Sequence, residues 1–179
     1  MRAYYFDDLP GDQRAQHDSG IPVEPGVLDK IGVLHWRIPV PTDEKYTGID
    51  AVAQERNYKN RDVITITKEG LGDLYESKIK TFYEEHMHED EEIRYILEGS
   101  GYFDVRDHPT DAWIRCAVVA GDLLVLPAGI YHRFTLDEKN TIKAMRLFKD
   151  EPKWTPYNRS EETDANSFRV EYLRNIAVV

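Results

Sequence analysis

The hydrophobic and polar positions of the chain fall into three textures. Across 82–148, short apolar runs alternate with polar residues at a period of two, between Gly, Pro and Asp turns. Residues 93–97, 102–106, 113–119, 123–126, 132–136 and 141–148 each read as a strand, and Gly99-Ser100-Gly101 reads as a strand-to-strand turn. Strands this close, with no helix between them, predict an antiparallel barrel or double-sheet jelly roll. The stretch up to Pro41 is different. It carries Pro10, Gly11, Gly20, Pro22, Pro25, Gly26, Pro39 and Pro41, too much punctuation for long elements. Within it, 3–6 and 31–38 read as short strands or an arm packed on the main body. Residues 42–58 have helix-forming character interrupted by Gly48, with Asp50 placed to cap 51–57. A second helix is predicted over about 71–80, with Leu71, Leu74, Tyr75 and Ile79 on one stripe. From Glu151 the chain turns polar, with Pro152, Pro156 and Glu161-Glu162, and reads as a surface wrap with loosely held ends. The expected plan is one domain over 1–179. It comprises an N-terminal α/β elaboration (1–70) with a few short helices, a barrel core (82–148) and a C-terminal surface segment (149–179).

Composition narrows this. A length of 179 residues suits one core, since single domains typically take ~100–200. Hydrophobic residues make up 41%, which excludes global disorder. No apolar run approaches the ~18–20 residues of a membrane span, and Met1 to Asp8 lacks the apolar core of a signal peptide. The 33 acidic and 23 basic residues leave a net charge of −10, which argues against a nucleic-acid groove. The single cysteine, Cys116, excludes an internal disulfide framework and a multi-cysteine zinc site; in a predicted strand it reads as a buried small hydrophobe. A soluble intracellular globular protein is expected, and six histidines remain to be explained.

The informative segment is Glu85-His86-Met87-His88-Glu89-Asp90-Glu91-Glu92-Ile93-Arg94. On a strand, residues two apart share a face, so His86 and His88 can chelate one ion. The acidic run 89–91 can form a turn that returns Glu92 to the same interior, and period-two counting then places Arg94 and Ile96 beside it. A third imidazole, His132, follows the tight turn shaped by Pro127 and Gly129, with Phe134 on its face. Three imidazoles and one carboxylate suit a divalent metal such as Fe, Ni, Mn or Co and leave two octahedral positions open. A closed structural zinc site offers no such vacancy. His17 and His35 lie outside this pattern and read as structural or surface groups. His108, in the turn Asp107-His108-Pro109, reads as exposed.

These residues resemble the cupin superfamily. The first motif matches as His86-x-His88, Glu92 and Gly99, and the second as Gly121, Pro127, Gly129 and His132, with Leu136 in place of the usual asparagine. The resemblance implies a mainly β fold, the double-stranded β-helix or jelly-roll barrel. A closer likeness, to the eukaryotic-type acireductone dioxygenase family, rests on 86–106, 126–137, 143–148 and 154–159, with Trp36 and 62–66 also fitting.

That likeness implies a methionine-salvage enzyme cleaving an acireductone, a methylthio-substituted ene-diol ketone, with O2. With Fe2+ the expected products are 4-methylthio-2-oxobutanoate and formate; with Ni2+ they are 3-(methylthio)propanoate, formate and carbon monoxide. It implies His86, His88, Glu92 and His132 as metal ligands and Arg94 as the group that binds substrate oxygen. Phe82, Phe103, Phe134 and Ile96 are expected around the substrate. A monomer in cytoplasm and nucleus is implied, with no nucleic-acid partner and with room for protein–protein interactions. Two alternatives stay open at this point: another metal-dependent cupin enzyme, or a metal-binding regulatory cupin without turnover.

Overall fold

Two antiparallel sheets share one long strand, and that sharing creates the interior in which the histidines meet. The computed structural model describes residues 1–177, so 178 and 179 of the expected C-terminal segment lie outside the described residues. In chain order the elements are β1 (Arg2–Phe6), β2 (Asp18–Pro22), α1 (Val27–Lys30), β3 (Leu34–Arg37), α2 (Thr47–Arg56), β4 (Asn60–Thr67), α3 (Lys68–Leu71) and α4 (Tyr75–Phe82). They continue with β5 (His86–Met87), β6 (Glu92–Arg106), β7 (Trp113–Val119), β8 (Asp122–Leu126), β9 (His132–Leu136), β10 (Thr141–Phe148), β11 (Tyr157–Asn158), α5 (Glu161–Asp164) and α6 (Ser167–Ile176). One sheet runs β3-β8-β6-β10-β4; the other runs β11-β5-β9-β6-β7-β1-β2. This is the jelly-roll barrel expected from the strand spacing. No helix among the described residues is long and apolar enough to cross a membrane.

Strand β6 joins the sheets. Its first half pairs with β8 and β10, its second with β7 and β9. The expected turn at Gly99-Ser100-Gly101 is instead a bend inside this one strand. Gly99 sits at φ +76°, where a Cβ would meet the Thr141 carbonyl, and the register against β10 slips between Lys143 and Ala144. A glycine and a bulge turn the strand from one sheet into the other without ending it.

The two faces of the shared sheet bury different cores. Ile96, Phe103, Ile114, Cys116, Leu124, Leu126, Leu136 and Ile142 fill the barrel interior. Ile93, Tyr95, Leu97, Leu123, Val125, Met145 and Leu147 face outward and are covered by Ile49, Val52 and Ala53 of α2. Covering both faces explains why β8 reads as an unbroken apolar run: each of its residues is buried on one side or the other.

Four other elements differ from expectation. β4 was not anticipated, because Arg61 and Asp62 mask its start; it pairs with β10 over eight residues. Helix α2 begins at Thr47 and runs through Gly48, whose missing side chain lets the helix lie on Ile38, 2.8 Å from where a Cβ would be. Asp50 is therefore in its first turn and not at its cap, and it pairs with Arg61 at 2.5 Å. The expected helix over 71–80 is split by a 3-10 turn at Gly72–Leu74; Tyr75 and Ile79 of α4 are buried, but Leu74 is exposed. The tail is an exposed connection over 151–156, as expected, but beyond Ser160 it forms a pair of capped helices where a loose wrap was expected. Ser160 caps α5, Asn166 caps α6, and Arg169 and Tyr172 are buried against the barrel.

Candidate metal centre

Short strands converge on one point. β5 contributes His86, which lies directly opposite His132 of β9 in the ladder. His88 follows two residues after His86, and Glu92 opens β6. Together His86, His88, Glu92 and His132 present ligand atoms that all lie within 4.8 Å of one another. The ring centroids of His86 and His132 are 4.5 Å apart, those of His86 and His88 4.9 Å, and those of His88 and His132 5.3 Å.

Each imidazole is aimed by its other nitrogen. The Nδ1 groups of His86, His88 and His132 lie 2.6, 2.9 and 2.9 Å from the carbonyls of Glu84, Thr155 and Ile130. A carbonyl only accepts, so each Nδ1 carries its proton and each Nε2 lone pair is free. Glu92 Oε2 lies 2.9 Å from His132 Nε2 and 3.2 Å from His88 Nε2. Two neutral imidazoles would therefore point lone pairs at a carboxylate, a repulsion that a cation among the four groups removes. The donor set fits a divalent metal ion on this ground, with outer hydrogen bonds of the kind that orient metal-bound histidines.

The electrostatics agree. Burial alone would raise the Glu92 carboxyl, but the charge of Arg94 beside it holds it well below its ordinary value. Burial, with His132 nearby, pushes His86 down to about 4, so it is a neutral donor. The rest of the acidic run is accounted for elsewhere. Glu89 accepts from Asn166, Asp90 accepts from the Glu91 N–H, and Glu91 binds Arg56 and the Tyr58 hydroxyl. Of this run, Glu92 presents a carboxylate oxygen to the histidine cluster.

The four residues lie in a cavity of about 540 Å³. Arg94 and Ile96 continue along β6 into it, as period-two counting places them, and Arg94 Nη2 reaches to 3.5 Å from Glu92 Oε1. Phe82, Phe103 and Phe134 line one side, with centroids 6.3 Å apart for Phe82–Phe134 and 4.8 Å for Phe103–Phe134. Ile64 and Ile66 of β4 and Ile142 and Ala144 of β10 also line the cavity. Arg146, Lys153 and Trp154 stand among the lining residues, and no sequence signal had marked them as such. Arg146 is held by Asp62 at 2.7 and 2.8 Å and lies 3.8 Å over the Trp154 ring. Its place follows from register: Arg146 is the cross-strand partner of Arg94, and so shares its face.

The remaining histidines are outside the centre. His17 binds Asp7 and the Asp12 carbonyl and stacks on Phe6, His35 binds Asp122, and His108 is exposed. Cys116 is fully buried in the barrel core.

Known proteins resemble this chain. Acireductone dioxygenase 1 of Coprinopsis cinerea is 64% identical over 178 residues, 99% of each chain. An acireductone dioxygenase of Phaeosphaeria nodorum is 60% identical over 174 residues, covering 97% of this chain and 96% of that one. The solved structure of an acireductone dioxygenase from Bacillus anthracis, with a cadmium ion in its active centre, superposes with a TM-score of 0.62. It is 26% identical and covers 72% of this chain and 84% of that chain. The model of the ARD/ARD' family matches residues 2–156, the barrel and its metal cluster but not α5 or α6. By that match and these identities, the chain belongs to the ARD/ARD' family.

Proposed function

We propose that the protein is a metal-dependent acireductone dioxygenase, cleaving 1,2-dihydroxy-3-keto-5-methylthiopentene with O2. The observation that carries this is the convergence of three imidazoles and one carboxylate oxygen in a largely apolar cavity, with Arg94 beside them. A divalent ion held there would supply Lewis acidity and a template for the substrate oxygens and O2. Arg94 binds an ionised oxygen of the ene-diol by a charge-assisted hydrogen bond and offsets its charge. The ion, Glu92 and Arg94 sum to +2, which matches a substrate dianion. Phe82, Phe103 and Phe134 exclude water and accept the methylthio tail through sulfur–aromatic contact, with Ile96 packing beside them.

Fe2+ is our reading for the on-pathway ion, giving 4-methylthio-2-oxobutanoate and formate within methionine salvage. With Ni2+ the same substrate and O2 would give 3-(methylthio)propanoate, formate and CO; both product sets retain all atoms of substrate and O2. The donor set accepts either ion, so the choice of ion would select the outcome. Chelator-stripped protein, reloaded with a single metal and mixed with acireductone, should consume O2. Consumption no faster than without protein would overturn the reading.

A further inference from the structure

The two helices at the C-terminal end pack on the segments that carry His88 and His132. Arg169 of α6 is buried, and its Nη1 donates to the Gly129 carbonyl at 3.0 Å. The Gly129 N–H in turn donates to the His88 carbonyl at 3.0 Å. Gly129 also belongs to the turn that delivers His132, so one peptide links the arginine to two ligand-bearing segments. Contact with α6 is close: a Cβ on Gly129 would lie 2.5 Å from the Phe168 carbonyl oxygen and 2.8 Å from Tyr172 Cβ. Two further tethers bracket the same segments. Asn166 Nδ2 donates to Glu89 at 2.9 Å, and the Tyr131 hydroxyl donates to Asp164 of α5 at 2.6 Å. Glu89 follows His88 and Tyr131 precedes His132, so each ligand has a neighbour held by the helices. The guanidinium lies 4.3 Å from the Tyr131 ring centroid, and its Nε is the one buried side-chain nitrogen or oxygen without a hydrogen-bond partner among the described residues. A buried charge with an unmet donor is costly. Arg169 therefore occupies this place at a loss that packing alone does not explain.

We propose that α5 and α6 form a clasp that fixes His88 and His132 in ligating position, with Arg169 as its positioning residue through the Gly129 peptide. The inference rests on the metal reading of the four-residue cluster. Its geometry assigns Arg169 no contact with metal or substrate, only with the backbone that aims the ligands. Outer hydrogen-bond partners of metal ligands commonly matter ~10–100-fold in affinity, and the same range is expected here.

The test is Co2+ binding to the full chain, by chelator competition and visible absorption, at a temperature where circular dichroism shows each variant folded. Arg169→Ala should weaken Co2+ binding about 10–100-fold and change the absorption envelope, because the ligand geometry loosens. Arg169→Lys, which keeps a donor for the Gly129 carbonyl, should recover most of the affinity. Val170→Ala, on the exposed side of α6, should bind as the wild type does. A folded Arg169→Ala protein with wild-type affinity and spectrum would overturn the proposal, whatever its thermal stability. Should Arg169→Ala not fold, Tyr131→Phe and Asn166→Ala each remove one tether without stranding a charge. Weaker Co2+ binding in both supports the clasp, and wild-type binding in both overturns it. A wild-type protein that takes up no Co2+ would instead overturn the metal reading itself.

Discussion

Glu92 and Arg94 are two residues apart on one face of β6, and they divide the work of the site between them. Oε1 of Glu92 lies 3.5 Å from Arg94 Nη2, while Oε2 turns the other way, to the imidazoles of His88 and His132. The two side chains should therefore fail differently when removed. Arg94→Ala should keep its metal but lose about 10–150-fold in kcat/KM, the worth of a hydrogen bond to a charged group at ~1.5–3 kcal/mol. Glu92→Gln should lose the metal first. Metal content and kinetics, measured on both variants, separate the roles; metal loss in Arg94→Ala would contradict them.

Histidines inside and outside the cluster provide a second comparison. His88→Ala should purify without bound metal. His17→Ala should retain it and lose stability by ~1–2 kcal/mol, since it forfeits two hydrogen bonds and its stacking on Phe6. Elemental analysis and thermal melting check both; equal metal in the two variants would count against the ligand assignment.

The buried pair of Asp104 and Arg115 ties the N-terminal arm to the sheet. Arg115 donates to both Asp104 oxygens at 2.7 and 2.9 Å and to the carbonyls of Gln13 and Ala15 at 3.1 and 2.7 Å. Asp104→Asn would leave the Arg115 charge, and that of Arg133, short of a counter-ion in the interior. A loss of ~3–5 kcal/mol in denaturant unfolding is expected, with metal binding intact in the folded fraction. A loss below about 1 kcal/mol, typical of an exposed pair, would contradict the account.

Burial pushes the Cys116 thiol up to about 12. The folded thiol thus stays protonated where an unfolded one, with its ordinary value of 9.0, ionises. Because the folded value is raised, the stabilisation is full below pH 9 and declines as pH rises from there toward 12. The decline is about 1.4 kcal/mol per pH unit for this group. Cys116→Ala should flatten that part of the stability profile, and native protein at pH 8 should resist a thiol-specific reagent that labels it in denaturant. Rapid native labelling would contradict the burial.

The barrel and the metal quartet were legible because both rest on period-two spacing. Counting pairs His86 with His88, Glu92 with Arg94 and Ile96, and His132 with Phe134, and the turn at 89–91 with the cupin resemblance brings the three sets to one cavity. What was not legible depends on partners distant in sequence. Gly99-Ser100-Gly101 has the composition of a turn, and only the Thr141 carbonyl pressed against Gly99 makes it a bend. Arg61 and Asp62 hid the start of β4 because their charges are met by Asp50 and Arg146. The tail read as surface because its buried residues are Thr163, Arg169 and Tyr172, polar or amphipathic side chains that polarity scales place outside. Arg146 joined the pocket through the β6–β10 register, which a single strand does not reveal, and Trp154, beyond the end of β10, through its packing on Arg146 and Phe148.

The central claim is that this one ligand set directs O2 onto acireductone, with the metal choosing the products. It is tested most directly by product analysis of two preparations, one loaded with Fe2+ and one with Ni2+, given acireductone anaerobically and then O2. The account predicts 4-methylthio-2-oxobutanoate and formate from the first, and 3-(methylthio)propanoate, formate and CO from the second. Substrate loss no faster than in metal-free protein, or one product set from both metals, would contradict it.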